Sequence, residues 1–268
     1  MATEKEHVKG VFDRLAAEKS WETLYSGKLD RTTYNFVTRQ RAVESLIEPF
    51  AGGNILDLGC GTGNLVPFYA ERCTHYTGLD LSPQMIERAR QNHSREVSRG
   101  KVEFMVGDCE GLPFQDGTFD LVSAVALIEY LPNPSRVLNE ITRVLRKGGV
   151  ALLTVPHRSC IHFKIRDVLT PLRNALFPIY LKLKGGPMSV MHNVKHYLYD
   201  PEQLDPLLRE RGLEKMESRF TNYYLIPYPL DHLIPQTYMR LSDIAERSSR
   251  NGALKPFAAN YIALYRKN

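Results

Sequence analysis

The stretch NILDLGCGTGN, residues 54–64, runs out of a short apolar segment into three glycines set two apart, with Asp57 just ahead of them. A strand that ends in such a turn and enters a helix lets a ligand approach the backbone closely and meet the free amides of the helix start. Dinucleotide sites ask for G-x-G-x-x-G. Here the glycines are Gly59, Gly61 and Gly63, and Asn64 stands where that pattern wants its third glycine. On spacing alone, a plain tight turn remains the alternative.

Outward from this turn, residues 54–156 alternate apolar runs with helix-like stretches, the rhythm of βα units building a parallel sheet. Strands are predicted at Asn54–Leu58, His75–Asp80, Val102–Asp108, Leu121–Ala126 and Val150–Val155. Between them, Ser82-Pro83 opens one helix as N-cap and first helical position, and 134–149 reads as another that stops at Gly148-Gly149. The chain divides into a helical lead-in (1–50), a core (51–156), an insertion (157–200) and a C-terminal part (201–268) that returns to the sheet around a second insertion at 223–253.

Three further strand tips carry chemistry. Asp80 ends the second strand 21 residues beyond Gly59, where an acid can take both hydroxyls of a ribose, which argues against a 2′-phosphorylated ligand. Asp108 and Cys109 end the third, where a carboxylate can accept from an adenine amino group and the next backbone N–H can donate to a ring nitrogen. The fourth exits near Val125–Tyr130, facing a ligand's reactive end.

This ordered set resembles the class I S-adenosylmethionine-dependent methyltransferases, in particular the small-molecule group that includes ubiquinone and menaquinone biosynthesis enzymes. The resemblance covers residues 37–156 well and the rest loosely. It implies an α/β fold with a Rossmann-like, seven-stranded, mainly parallel sheet, helices on both faces and a last strand running antiparallel. It implies S-adenosyl-L-methionine as cofactor, with Gly59, Gly61 and Gly63 against its methionine and ribose and Asp57 orienting the amino end. Asp80 with Leu81 would hold the ribose, Asp108 and Cys109 the adenine, and the backbone at Val125 the methionyl amine. Relatives often supply an arginine for the carboxylate from the helix before the first strand; Arg41 is preferred over Arg39, against the alternative of a solvated arginine.

Methyl transfer needs no enzyme nucleophile, because the sulfonium makes its own methyl electrophilic and the protein supplies alignment and desolvation. Relatives of the quinone type carry Glu-His after the fourth strand; this chain has Glu129-Tyr130, which removes that histidine. Tyr130, as a positioning group or a packing residue, and His157, as a base or a loop histidine, are the catalytic candidates. The (Asp/Asn)-Pro-Pro-aromatic turn of nucleic-acid amine methylation is absent after strand four, as is a Pro-Cys there, and the chain has no Asp-Asn pair for magnesium-dependent catechol chemistry. The acceptor read from this is a lipophilic or aromatic small molecule methylated at oxygen without a metal, not nucleic acid. The alternatives are a membrane-associated lipid or quinone methyltransferase and a non-catalytic cofactor-binding protein.

The composition is that of an ordinary globular protein, 43% hydrophobic and 24% charged. The amino terminus lacks the apolar core of a signal peptide, no apolar run approaches a membrane span, and the cysteines show no zinc spacing, so a cytoplasmic monomer or homodimer with reduced thiols is expected. The net charge of +5 is matched by the surplus of residues 157–200 alone, seven basic side chains against two acids. Within that insertion, 161–184 has apolar residues at helical spacing and five basic residues against Asp167. It reads as a helical cap over the site, with the second insertion, or as a peripheral contact with anionic membrane.

Overall fold

The structure, a computed structural model, describes residues 4–18, 21, 24–25, 33–165, 168, 194–226, 234–248 and 253–268. In chain order, α1 (Glu4–Ala17) and α2 (Tyr34–Ile47) precede β1 (Asn54–Leu58); α3 (Val66–Tyr69) leads to β2 (His75–Asp80). α4 (Pro83–Asn92) and α5 (Ser94–Ser98) lead to β3 (Val102–Val106) and then β4 (Phe119–Ala124). α6 (Ser135–Val144) and β5 (Leu145–Pro156) follow, then α7 (Pro201–Arg209), β6 (Leu213–Tyr223), α8 (Pro235–Ser248) and β7 (Ala258–Lys267).

The strands form one sheet in the order β3-β2-β1-β4-β5-β7-β6. The first five pair in parallel, while β7 runs antiparallel to both β5 and β6. Successive strand residues point to opposite faces, and both faces are dry. Leu56, Leu58, Val122 and Leu153 pack on one side with Val137 and Ile141 of α6 and Leu204 of α7. Ile55, Leu121 and Leu152 pack on the other with Val43 and Ile47 of α2 and Ile86 of α4. This two-sided burial explains the near-continuous apolar runs from which the sheet was read.

β1 and β2 keep their predicted limits, and α4 starts as expected: Ser82 Oγ accepts from Met85 N at 3.1 Å with Pro83 next in line. Two limits differ. The helix expected to continue to the Gly148-Gly149 pair stops at Val144, because Leu145 already pairs with Phe119 and opens β5. β4 ends at Ala124 rather than Ala126, since Ala126 turns left-handed with φ of +52° and its N–H donates to Thr154 Oγ1 at 2.8 Å. Of the basic stretch 161–184, residues 161–165 are helical and 168 is helical; the rest, with 227–233 and 249–252 of the second insertion, lies outside the described residues. No described helix is long and apolar enough to cross a membrane.

The penultimate residue of β6, Asn222, is fully buried and left-handed with φ of +61°. Its N–H donates to Glu246 Oε1 of α8 at 2.5 Å and its side-chain amide to Asn35 O of α2 at 3.1 Å, so one residue ties three elements. Burial raises the Glu246 carboxyl from its ordinary 4.5 to about 7, the Asn222 amide only partly opposing it. The folded state therefore holds a proton that the unfolded chain has lost between those values, and this contribution to stability is lost as pH rises through about 7. Glu246→Gln is expected to raise the melting temperature at pH 8 by a few degrees and to leave it unchanged at pH 4.5, the difference corresponding to about 2–3 kcal/mol. Thermal unfolding of both proteins across that range checks this.

Candidate active site

The sheet reverses its winding between β1 and β4, and a cleft of about 190 Å³ opens there at the carboxyl ends of the parallel strands. Its floor is the glycine turn. Gly59 and Gly61 line it in left-handed conformations, φ +68° and +54°, which a side chain would strain. The turn's amides are spent within the fold: Gly59 N and Cys60 N donate to Leu79 O at 2.8 and 3.2 Å, and Gly61 N donates to Asp80 Oδ2 at 2.9 Å. A turn that keeps its N–H groups for β2 offers a bare surface rather than a phosphate cradle, and α3 beyond it is a single turn long. The expectation of free amides at this helix start is corrected accordingly.

Asp80 joins that turn to α4, since its second oxygen accepts from Ser82 N at 2.8 Å; burial raises its carboxyl despite both amides. Leu81 lines the cleft beside it. Asp57 also lines the cleft, but its two oxygens already accept from Tyr76 Oη and Ser123 Oγ, both at 2.7 Å, and burial lifts its carboxyl to about 6. Gly63 does not line the cleft as expected; with φ of +81° it packs inward, where a Cβ would meet the His93 ring at 2.7 Å. Its bareness serves packing.

Asp108, Cys109 and Val125 all reach the cleft. Burial pushes the Cys109 thiol to about 12, so it is a neutral wall. Asp108 accepts from Glu110 N at 3.0 Å and from Lys5 Nζ at 2.7 Å, and despite some burial the lysine and the amide hold its carboxyl below the usual range. Lys5 also meets Glu110 at 2.9 Å. It belongs to α1, which crosses the cleft as a roof: Val8 and Phe12 line it from above, and Asp13 accepts from Ser82 Oγ at 2.5 Å. The sequence did not assign this role to the lead-in; the charged residues at helical spacing around Val8 and Phe12 were the available signal.

Arg41 is exposed and does not reach the cleft, whereas Arg39 does, with Phe36 and Gln40 at the i, i+3, i+4 spacing of one α2 face. Two residues further along a helix turns a side chain about 200° away, so the carboxylate-holding candidate is Arg39. Its Nη2 lies 3.3 Å from Tyr25 Oη and its guanidinium 5.5 Å from the centre of the Phe36 ring. Near it Glu129 is buried with Oε2 unpartnered among the described residues, and burial, against the pull of Arg39, lifts its carboxyl to about 7.

Val125, Ala126 and Tyr130 also line the cleft. Tyr130 packs edge-on against Phe12 at 5.3 Å and against His196 at 5.0 Å, and burial beside Glu129 pushes its phenol far up, so it keeps its proton. His157 is not in the cleft. β5 runs to Pro156, one residue past the expected end, and His157 follows it directly; its N donates to Ala259 O at 2.8 Å and its Nδ1 meets Ala258 O at 3.1 Å. With the Phe220 ring in a T-shaped contact at 5.0 Å and Nε2 3.7 Å from Asp200, the residue pins β5 to β7 and is no base for this cleft. No group of metal-binding side chains occurs among the described residues.

Residues 56–153 match the family described as methyltransferase domain. A ubiquinone biosynthesis O-methyltransferase of Xanthomonas axonopodis pv. citri is 31% identical over 66% of this chain and 68% of its own length. The chain belongs to the class I S-adenosylmethionine-dependent methyltransferases. An uncharacterized protein of Methanocaldococcus jannaschii is 27% identical over 88% of this chain and 87% of its own. Two other relatives are matched over 50% and 56% of their length. A solved magnesium protoporphyrin IX methyltransferase from Synechocystis PCC 6803 with bound S-adenosylhomocysteine shares the fold, with TM-score 0.66 over 98% of this chain and 100% of its own at 15% identity. The methyltransferase's cleft fits a cofactor that has a ribose but no phosphate: an acid at β2, a bare turn with occupied amides, and a half-buried cation, Arg39.

Gly63→Ala is expected to lose about 1–3 kcal/mol of stability, since it combines a left-handed φ with a clash. Gly111→Ala, with nothing within 4 Å of the added Cβ, stays within about 0.5 kcal/mol. Denaturant unfolding of the two variants checks the contrast.

Proposed function

We propose that the cleft binds S-adenosylmethionine with its adenosine between Asp80 and Asp108 and its carboxylate at Arg39, and transfers the methyl to oxygen of a lipophilic or aromatic small molecule. The observation that carries the acceptor class is the wall of the cleft: Phe12, Trp21, Tyr25, Phe36 and Tyr130 gather in it around Arg39. Aromatic side chains of this size bury large apolar areas and stack on flat ligands. The Xanthomonas relative is named as an O-methyltransferase, which supports oxygen as the accepting atom.

The bound cofactor supplies an electrophilic methyl on a sulfonium; the chain supplies alignment and exclusion of water. Asp80 and Asp108 each keep a second lone pair on their oxygens for donors from a ligand. Tyr130, protonated, is a positioning donor at the reactive end. The cleft of about 190 Å³ is smaller than ligand pockets of roughly 300–1,000 Å³, and an outward shift of α1 would enlarge it for both ligands. The ion pairs of Lys5 are half-exposed, and such pairs contribute about 0–1 kcal/mol, a latch weak enough to open.

Calorimetry with S-adenosylhomocysteine tests the cofactor reading. Arg39→Met is expected to weaken binding about ten- to a hundredfold, the worth of hydrogen bonds to a charged group, while Arg41→Met leaves it unchanged. The reverse pattern would reject the assignment. For the acceptor, incubation with methyl-labelled cofactor and a panel of phenols, quinols, aliphatic alcohols and amines is expected to yield aryl methyl ethers. Label appearing on nitrogen alone contradicts the reading.

A further inference from the structure

We propose that the indole N–H of Trp21 donates to the methionine carboxylate of the cofactor, sharing it with Arg39. The inference rests on the cofactor reading above and adds a residue that the glycine-turn motif does not contain. Trp21 is 8% exposed, and its Nε1 has no hydrogen-bond partner among the described residues. A buried donor left without an acceptor is uncommon in folded proteins and calls for a cause. Here the cause is a ligand: Nε1 is the atom nearest to where a Cβ on Gly61 would stand, at 3.2 Å, so the orphan donor lies directly over the bare turn and lines the cleft.

The ring has little freedom to turn away. Phe12 meets it edge-on at 5.6 Å, Phe36 edge-on at 6.1 Å, and Tyr25 tilts against it at 5.8 Å. Tyr25 and Phe36 are also the two residues that hold Arg39, one through its hydroxyl and the other under the guanidinium. Trp21 and Arg39 therefore belong to one cluster lining the cleft. A guanidinium and an indole N–H are both pure donors, and together they suit an acceptor-only anion. A carboxylate has about four lone-pair sites, enough for the bidentate fork of an arginine and a third donor. The ribose end is different in kind, because Asp80 there is an acceptor that calls for donors.

The test compares two ligands that share adenosine and sulfur and differ in the amino-acid portion: S-adenosylhomocysteine and 5′-deoxy-5′-methylthioadenosine. By calorimetry, Trp21→Phe, which keeps an aromatic ring and removes the N–H, is expected to weaken S-adenosylhomocysteine about tenfold and methylthioadenosine less than twofold. Retained methylthioadenosine binding also shows that the variant is folded. Equal losses for both ligands, or no loss for either, would overturn the proposal. A second readout needs no variant. Trp21 is the only tryptophan of the chain, and the wild-type emission is expected to shift with S-adenosylhomocysteine and stay in place with saturating methylthioadenosine. Equal shifts with both count against the assignment. If the wild type binds neither ligand, the cofactor reading falls and this proposal with it; if it binds both, only the variant and the emission decide about Trp21.

Discussion

The Asp80 carboxylate holds two backbone amides from different parts of the chain, Gly61 N at 2.9 Å and Ser82 N at 2.8 Å. Through the first it fixes the bare turn after β1; through the second it fixes the start of α4. Ser82 then passes the constraint on, accepting from Met85 N to cap α4 and donating to Asp13 of α1. Floor, wall and roof of the cleft are thus linked by consecutive hydrogen bonds that begin at one acid. Hydrogen bonds to an ionised group are worth about 1.5–3 kcal/mol each, and burial raises the Asp80 carboxyl even so. The site accepts that cost and thereby holds an acceptor at the end of β2.

The same junction explains the kind of ligand the methyltransferase can take. Gly59, Cys60 and Gly61 give their N–H groups to β2, so the turn offers van der Waals surface instead of anion-binding amides. Positive charge is supplied by Arg39 on α2, among aromatic rings. A ligand with polar hydroxyls at one end, a carboxylate at the other and no phosphate between them matches this distribution. The carboxyls of Asp57, which lines the cleft, and of Glu129 are raised by burial, in Glu129 against the pull of Arg39.

Much of this was legible in the sequence. The strand limits of β1 and β2, the cap at Ser82 and the acids at the strand tips follow from apolar runs, turn residues and spacing, which are local signals. Helix phase is less local: Arg39 and Arg41 lie in the same helix, and only the face shared with Phe36 and Gln40 separates them. His157 stands one residue beyond a buried strand, where pairing with β7 decides its direction, and β7 lies about a hundred residues away in sequence. The roof was the least legible part, because α1 and Trp21 gain their meaning from contacts with strand tips far along the chain. Residues 161–184, whose charge was the clearest anomaly of composition, carry an expectation that the described residues reach only at 161–165 and 168.

The cleft is floored by the glycine turn and roofed by α1. Amide hydrogen exchange of the wild-type chain with and without S-adenosylhomocysteine tests this most directly. Slowed exchange in 4–17, with β6 unchanged as an internal reference, is the predicted result. Unaltered exchange in 4–17 under saturating ligand, or protection confined to other segments, would contradict it.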